Sequence, residues 1–137
     1  MGIVHAEVVL SNPANPARGP MTVDAIVDTG ATHLCISAHV AAQLGIGLVD
    51  EREVCMADDT PRMVPYGGPI RLQFGNRGGF FGAMVVGSEV LLGAIVLEDL
   101  DLVVHPRSGT LTVNPQSPNV PRAYARAACA AARPRSA

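Results

Sequence analysis

Few residues in this chain are placed to do chemistry, and the most suggestive is Asp28. It stands in the run Ala25, Ile26, Val27, Asp28, Thr29, Gly30, Ala31, in which an apolar strand delivers a carboxylate to a small hydroxyl residue and a glycine. Gly30 lets the backbone turn close beside the carboxylate. Taken alone, the Asp-Thr-Gly triplet also reads as a polar turn after an edge strand. A second segment, Leu91, Leu92, Gly93, Ala94, repeats the pattern of apolar residues, glycine and alanine without the acid. His33, Cys35, His39 and Cys55 are possible metal ligands, but no Cys-x-x-Cys or His-x-x-x-His pair completes a zinc pattern, so no metal and no cofactor is expected. His33 and Cys35 fall on one face of a short strand, where Cys35 reads as a small core residue.

Composition narrows the chemistry further. All ten basic residues are Arg, and with no Lys there is no Schiff base, no phosphate-binding P-loop lysine and no Ser–Lys hydrolase. No Gly-x-Ser-x-Gly elbow occurs. A formal charge of −2 offers no footprint for nucleic acid. No apolar run reaches the roughly 18 residues of a membrane span, nothing at the amino terminus reads as a leader, and three widely spaced cysteines suit a reducing compartment. A cytoplasmic protein with no nucleic-acid or membrane partner is expected.

The elements that must position Asp28 are mostly strands. Gly2 to Leu10 alternates and is rich in β-branched residues, Ser11 to Pro20 has loop chemistry, and Met21 to Val27 is a second strand running into Asp28. His33 to Ile36 follows as a third. Ser37 can cap a helix over Ala38 to Leu44, with Gly45 ending it in a left-handed conformation. Glu51 to Ala57 and Arg62 to Tyr66 form a hairpin through Asp58, Asp59, Thr60 and Pro61. Ile70 to Phe74 and Phe80 to Val86 are strands around a loop at residues 75–79. Leu102 to Val104 pairs with Leu111 to Val113 across a turn at Pro106 to Gly109. Residues 1–115 make one domain, and residues 116–137 a Pro-, Ala- and Arg-rich tail.

On these residues the chain resembles the retropepsin-like aspartic peptidases, in their single-domain cellular or prokaryotic form. A subunit of that family carries one Asp-Thr/Ser-Gly loop and, later, a hydrophobic-hydrophobic-Gly motif ahead of a helix. The resemblance spans roughly Gly2 to Pro115 and implies a mainly β fold: a closed antiparallel β barrel with one or two short helices, homodimeric. It implies catalytic roles for Asp28, Thr29 and Gly30, with the Thr29 hydroxyl bonding across a two-fold axis. Ala31, Leu91, Leu92 and Gly93 become structural supports of the loop. The hairpin at Ala57, Asp58, Asp59 and Thr60 becomes a flap over the substrate, although the family often has glycine at that tip. The termini, Gly2 to Leu10 and Leu111 to Pro115, are expected at the dimer interface.

Hydrolysis of a peptide without metal or covalent nucleophile needs one carboxylate to take a proton from water while a second, protonated, polarises the carbonyl. Two carboxylates a few ångströms apart share a proton and titrate as a unit. Asp24 is about 13 Å from Asp28 by strand rise, Asp58 and Asp59 sit in the hairpin turn, and Asp99 and Asp101 read as helix-end or surface groups. The second acid must therefore come from a second copy, which makes the expected activity that of a homodimeric aspartic endopeptidase acting on peptides or proteins. The alternative is a catalytically silent peptide-binding or dimerisation module with the same fold.

Overall fold

The computed structural model describes residues 2–125, so most of the tail, with Cys129, lies outside the described residues. Strand β1 (Val4–Ser11) buries Val4, Ala6, Val8 and Leu10 while His5 and Glu7 face outward, the two-residue period of a strand with one face on a core. It pairs antiparallel with β2 (Met21–Val27), from Val4 opposite Val27 to Leu10 opposite Met21. On the outer face His5 Nδ1 meets Asp24 Oδ2 at 2.9 Å.

The other strands are β3 (Leu34–Ile36), β4 (Asp50–Cys55), β5 (Pro61–Phe74), β6 (Arg77–Val85) and β7 (Val90–Leu92). The sheet runs β1-β2-β7-β3-β6-β5-β4, and Val9 to Ser11 of β1 also pair with Gln73 to Arg71 of β5. That extra pairing closes six strands into a barrel and leaves β4 outside it as the partner of β5. The barrel is closed as expected, and two parallel pairings, β2 with β7 and β3 with β6, interrupt its antiparallel order. A separate hairpin, β8 (Leu102–His105) with β9 (Thr110–Val113), follows helix α2 (Ala94–Asp99). Leu10, Ile36, Leu44, Ile70, Leu72, Leu92 and Leu100, all at 0% exposure, fill the barrel. Each such side chain stabilises the fold by about 1.5–3 kcal/mol through burial.

Helix α1 (Ala38–Leu44) starts and stops where its sequence dictates. Ser37 Oγ accepts from Val40 N–H at 3.2 Å, and Gly45 ends the helix at φ 66°. The last carbonyls of the helix are satisfied from the loop after β1: Asn12 Nδ2 donates to Leu44 O at 2.9 Å, and Arg18 Nη1 to Ala42 O at 3.3 Å. Strand β5 is longer than the two strands expected there. It continues through a register shift between Gly67 and Ile70, where Gly67 lets the strand lie close against the backbone at Gly47: a Cβ on it would come within 1.8 Å of Gly47 O. Its first part serves the β4 hairpin and its second part the barrel. Similarly, β6 begins at Arg77, directly after a two-residue turn at Gly75 and Asn76 with Gly75 at φ 56°. The amino-terminal strand sits inside the barrel sheet, and β9 pairs with β8.

The segment after β9 is tied to the domain by Asp101. Asn114 Nδ2 donates to Asp101 Oδ1 at 3.0 Å, Arg122 N–H donates to Oδ2 at 2.9 Å, and the Ser117 hydroxyl donates to the same oxygen. Beneath it Arg77, fully buried, gives Nη2 to Ser117 O, while its Nε and Nη1 have no partner among the described residues. The bond from Ser117, then those from Arg122 and Asn114, hold the Asp101 carboxyl down to about 2, with the Arg77 charge adding to the effect. The folded value lies below the ordinary 3.8, so the stability this group contributes is fully present above about pH 4 and is lost as pH falls toward 2. Thermal unfolding across this range should show Asp101→Asn melting below the wild type at pH 6, with the gap narrowing by pH 2; a constant gap would contradict the assignment.

Candidate active site

Asp28 leaves the end of β2 on a loop whose backbone is held from the side by β7. Ala25, Ile26 and Val27 run parallel to Val90, Leu91 and Leu92, and Cys35 of β3 lies opposite Leu91 on the other edge. Strand β7 therefore threads between the strands that enter and leave the loop. Asp28 N–H donates to Leu92 O at 3.0 Å, Ala94 N–H to Ala31 O at 2.8 Å and Ile95 N–H to Thr32 O at 2.9 Å. Gly93 makes that pass possible. A Cβ on it would stand 2.5 Å from His33 O, 2.7 Å from the Thr32 carbonyl carbon and 2.8 Å from Ala31 O, all backbone atoms with no room to yield.

Within the loop, Gly30 N–H donates to Asp28 Oδ1 at 2.9 Å and Ala31 N–H to Asp28 O at 3.2 Å. The carboxylate is thus oriented by its own turn, half-buried at the edge of a cleft. Thr29 is exposed, and its hydroxyl has no partner among the described residues. Leu92 and Gly93 are buried and Leu91 half-buried.

The cleft, about 590 Å³, is bounded by Asp28, Gly30, Ala31 and His33 on one side and on the other by Arg52 to Ala57, along β4 and into the hairpin tip. Its floor is apolar: Cys35 and Met84 are buried there, packed with Val64, Val54, Val86 and Leu91. The Cys35 thiol is pushed up, first by burial and then by the negative charge of Asp28. A thiol so placed stays protonated, which leaves it unsuited to act as a nucleophile.

Over this floor stands the β4–β5 hairpin. Its tip turns where Met56 N–H donates to Thr60 O at 2.9 Å and Asp59 N–H to Met56 O at 2.9 Å. Asp59 takes the left-handed conformation, φ 64°, that glycine adopts most readily and Asp tolerates. Asp58 Oδ1 accepts from the Thr60 hydroxyl at 2.5 Å and from its N–H at 3.1 Å, bonds that lower the Asp58 carboxyl. Of the hairpin residues singled out from sequence, Ala57 lines the cleft with Asp28, while Asp58 and Thr60 line a separate hollow at the tip.

The sequence motifs did not point to Arg52 or Tyr66, and raised His33 only as a possible metal ligand; Tyr66 meets both Arg52 and His33 beside the cleft. The signal was faint: Arg52 lies two residues before Val54 and so shares its face of the strand. No group of three or more His, Cys, Asp or Glu side chains able to hold a metal occurs among the described residues. A hollow of about 720 Å³ between α2 and the carboxyl-terminal segment also holds acids, Glu98, Asp99 and Asp101, but Asp101 is committed to its hydrogen bonds.

A closed β barrel with an Asp-Thr-Gly loop braced by an apolar-apolar-Gly strand, beneath a hairpin, is the architecture of a retropepsin-like aspartic peptidase subunit. The EIAV protease, solved with the inhibitor HBY-793, superposes with a TM-score of 0.55 at 13% identity, covering 72% of this chain and 88% of that one. At that identity the likeness is one of fold. No curated protein matches the chain in sequence. The family model described as aspartyl protease matches residues 17–118, and the chain belongs to that family.

Gly93→Ala should cost about 1–3 kcal/mol in denaturant unfolding, the range of an overpacked core. Gly47→Ala, whose Cβ would meet nothing within 4 Å, should stay within about 0.5 kcal/mol of wild type. Equal costs at the two sites would remove the case for a steric requirement at Gly93.

Proposed function

We propose that the chain is one half of an aspartic endopeptidase, in which Asp28 of two copies forms a water-activating pair across a two-fold axis. The observation that carries this reading is the brace itself: β7 holds the Asp28 loop at the mouth of a cleft, and the loop and the strands flanking it carry one other carboxylate, that of Asp24 on β2. Asp24 is paired with His5 on the outer face, and Glu53, the other acid lining the cleft, stands across it on the hairpin strand. Hydrolysis requires both a base and an acid, and an isologous dimer supplies them from the same residue twice.

In that dimer the unpaired Thr29 hydroxyl would bond across the axis to the opposing loop, with Gly30 fixing the turn. Leu91, Leu92 and Gly93 would keep each carboxylate in place, since a misplacement near 1 Å costs about a hundredfold in rate. One Asp28 would take a proton from water while the other, protonated, polarises the scissile carbonyl. The hairpin, from Ala57 to Thr60, would cover an extended peptide whose backbone pairs along the cleft and whose side chains fill the apolar floor.

Asp28→Asn should lower kcat on a mixed peptide library by at least about a hundredfold, the usual contribution of a general acid or base, with an unchanged melting curve. Sedimentation should show a dimer, and specific activity should fall on dilution through its dissociation range. Full activity from a monomer, or from the Asn variant, would sink the proposal.

A further inference from the structure

The hydrolytic reading leaves unused one full positive charge in the cleft. Arg52 lines the cleft together with Asp28, and its guanidinium carbon lies 3.9 Å from the centroid of the Tyr66 ring. Tyr66 is itself fixed. Its ring meets that of His33 edge to face, 6.5 Å between centroids at 83°. Gly82 supplies the space, because a Cβ there would come within 1.9 Å of the Tyr66 hydroxyl oxygen.

Arg52 is exposed, and no carboxylate of the described residues comes within 4.0 Å of it; the ion pair found among them is His5 with Asp24. Of the acids near it, Asp28 and Glu53 line the same cleft, and Asp50 lies opposite Tyr66 on the hairpin. A guanidinium stacked on a ring is held by the ring face while its N–H donors point outward around its edge. That fork matches a carboxylate, which it binds through two parallel hydrogen bonds. Because stacking has already restricted the long side chain, less freedom is lost when the ligand arrives.

We propose that Arg52, seated on Tyr66, forms a subsite that selects an Asp or Glu side chain in the peptide bound across the cleft. The proposal rests on the peptidase reading only for the ligand being an extended peptide. The Arg52 guanidinium also offsets the repulsion an acidic peptide meets from Asp28.

The test separates the two readings by measuring binding without cleavage. Full-length Asp28→Asn protein is titrated at pH 6 with fluorescent apolar decapeptides, in which a single Glu is moved through each position and compared with Gln and with Lys. At one or two positions Glu should bind about ten- to a hundredfold more tightly, the range of a charge-assisted pair. Adding Arg52→Gln should abolish the difference, and adding Arg52→Glu should turn it into a preference for Lys. Melting curves establish that each variant is folded, and Arg52→Lys, which keeps the charge without the fork, should give a smaller preference. No difference at any position, or one that survives Arg52→Gln, overturns the subsite. Wild-type protein that cleaves none of the peptides counts against the peptidase reading, and the binding ratios still decide the role of Arg52.

Discussion

The passage of the Gly93 backbone against the Asp28 loop is the constraint on which the rest of the molecule depends. Loops are ordinarily the mobile parts of a fold, whereas an acid poised for catalysis must be held to a fraction of an ångström. Here the loop is held by bonds from far along the chain, to Leu92 O and from Ala94 and Ile95 N–H. A side chain on residue 93 would push the two apart. The closed barrel is what delivers β7 to that position, since a strand can sit between β2 and β3 only if the remaining strands carry the chain around and back. The parallel pairings are the mark of that route.

What could be read from the sequence was what local chemistry decides. The alternation of Val4, Ala6, Val8 and Leu10 declares a half-buried strand. Ser37 and Gly45 bracket their helix with a cap hydrogen bond and a left-handed turn, and the Asp- and Thr-rich tip declares a hairpin. The Asp28 segment and the Leu91 to Gly93 segment were recognisable because each repeats a local pattern. Their mutual contact was implied only through resemblance.

What could not be read was decided by distant contacts. Gly67, Gly68 and Pro69 look like the end of a strand, yet β5 passes through them, and the bare Gly67 is the room its backbone needs beside Gly47. Gly78 and Gly79 look like loop, yet they are strand. Gly79 is bare because a Cβ there would press on the Asp99 carboxylate and Leu100, 2.9 and 3.0 Å away. The grouping of Arg52, Tyr66 and His33 is of the same kind. Each comes from a different strand or loop, and the pairing of Asp50 with Tyr66 and of Tyr66 with Met84 brings them together beside the cleft.

Two features of the cleft pull in different directions, and together they set what a peptide would need in order to fit the proposed site. The floor, built on Met84, Val86 and Leu91, favours apolar side chains, and a peptide seated on it would displace water and strengthen a charge interaction made above it. The rim is charged, with Arg52 and Glu53 adjacent on β4 and Asp28 opposite. A wholly apolar peptide satisfies the floor and leaves the guanidinium to solvent, and a strongly acidic one is repelled at the loop. In the proposed dimer the two-fold axis places a copy of this arrangement on either side of the water-activating pair. A peptide has direction and the axis does not, so the two Arg52 side chains would meet different residues of one substrate. Selectivity would then come from the spacing of an acidic residue from the bond at the axis, with the apolar residues between them resting on the floor.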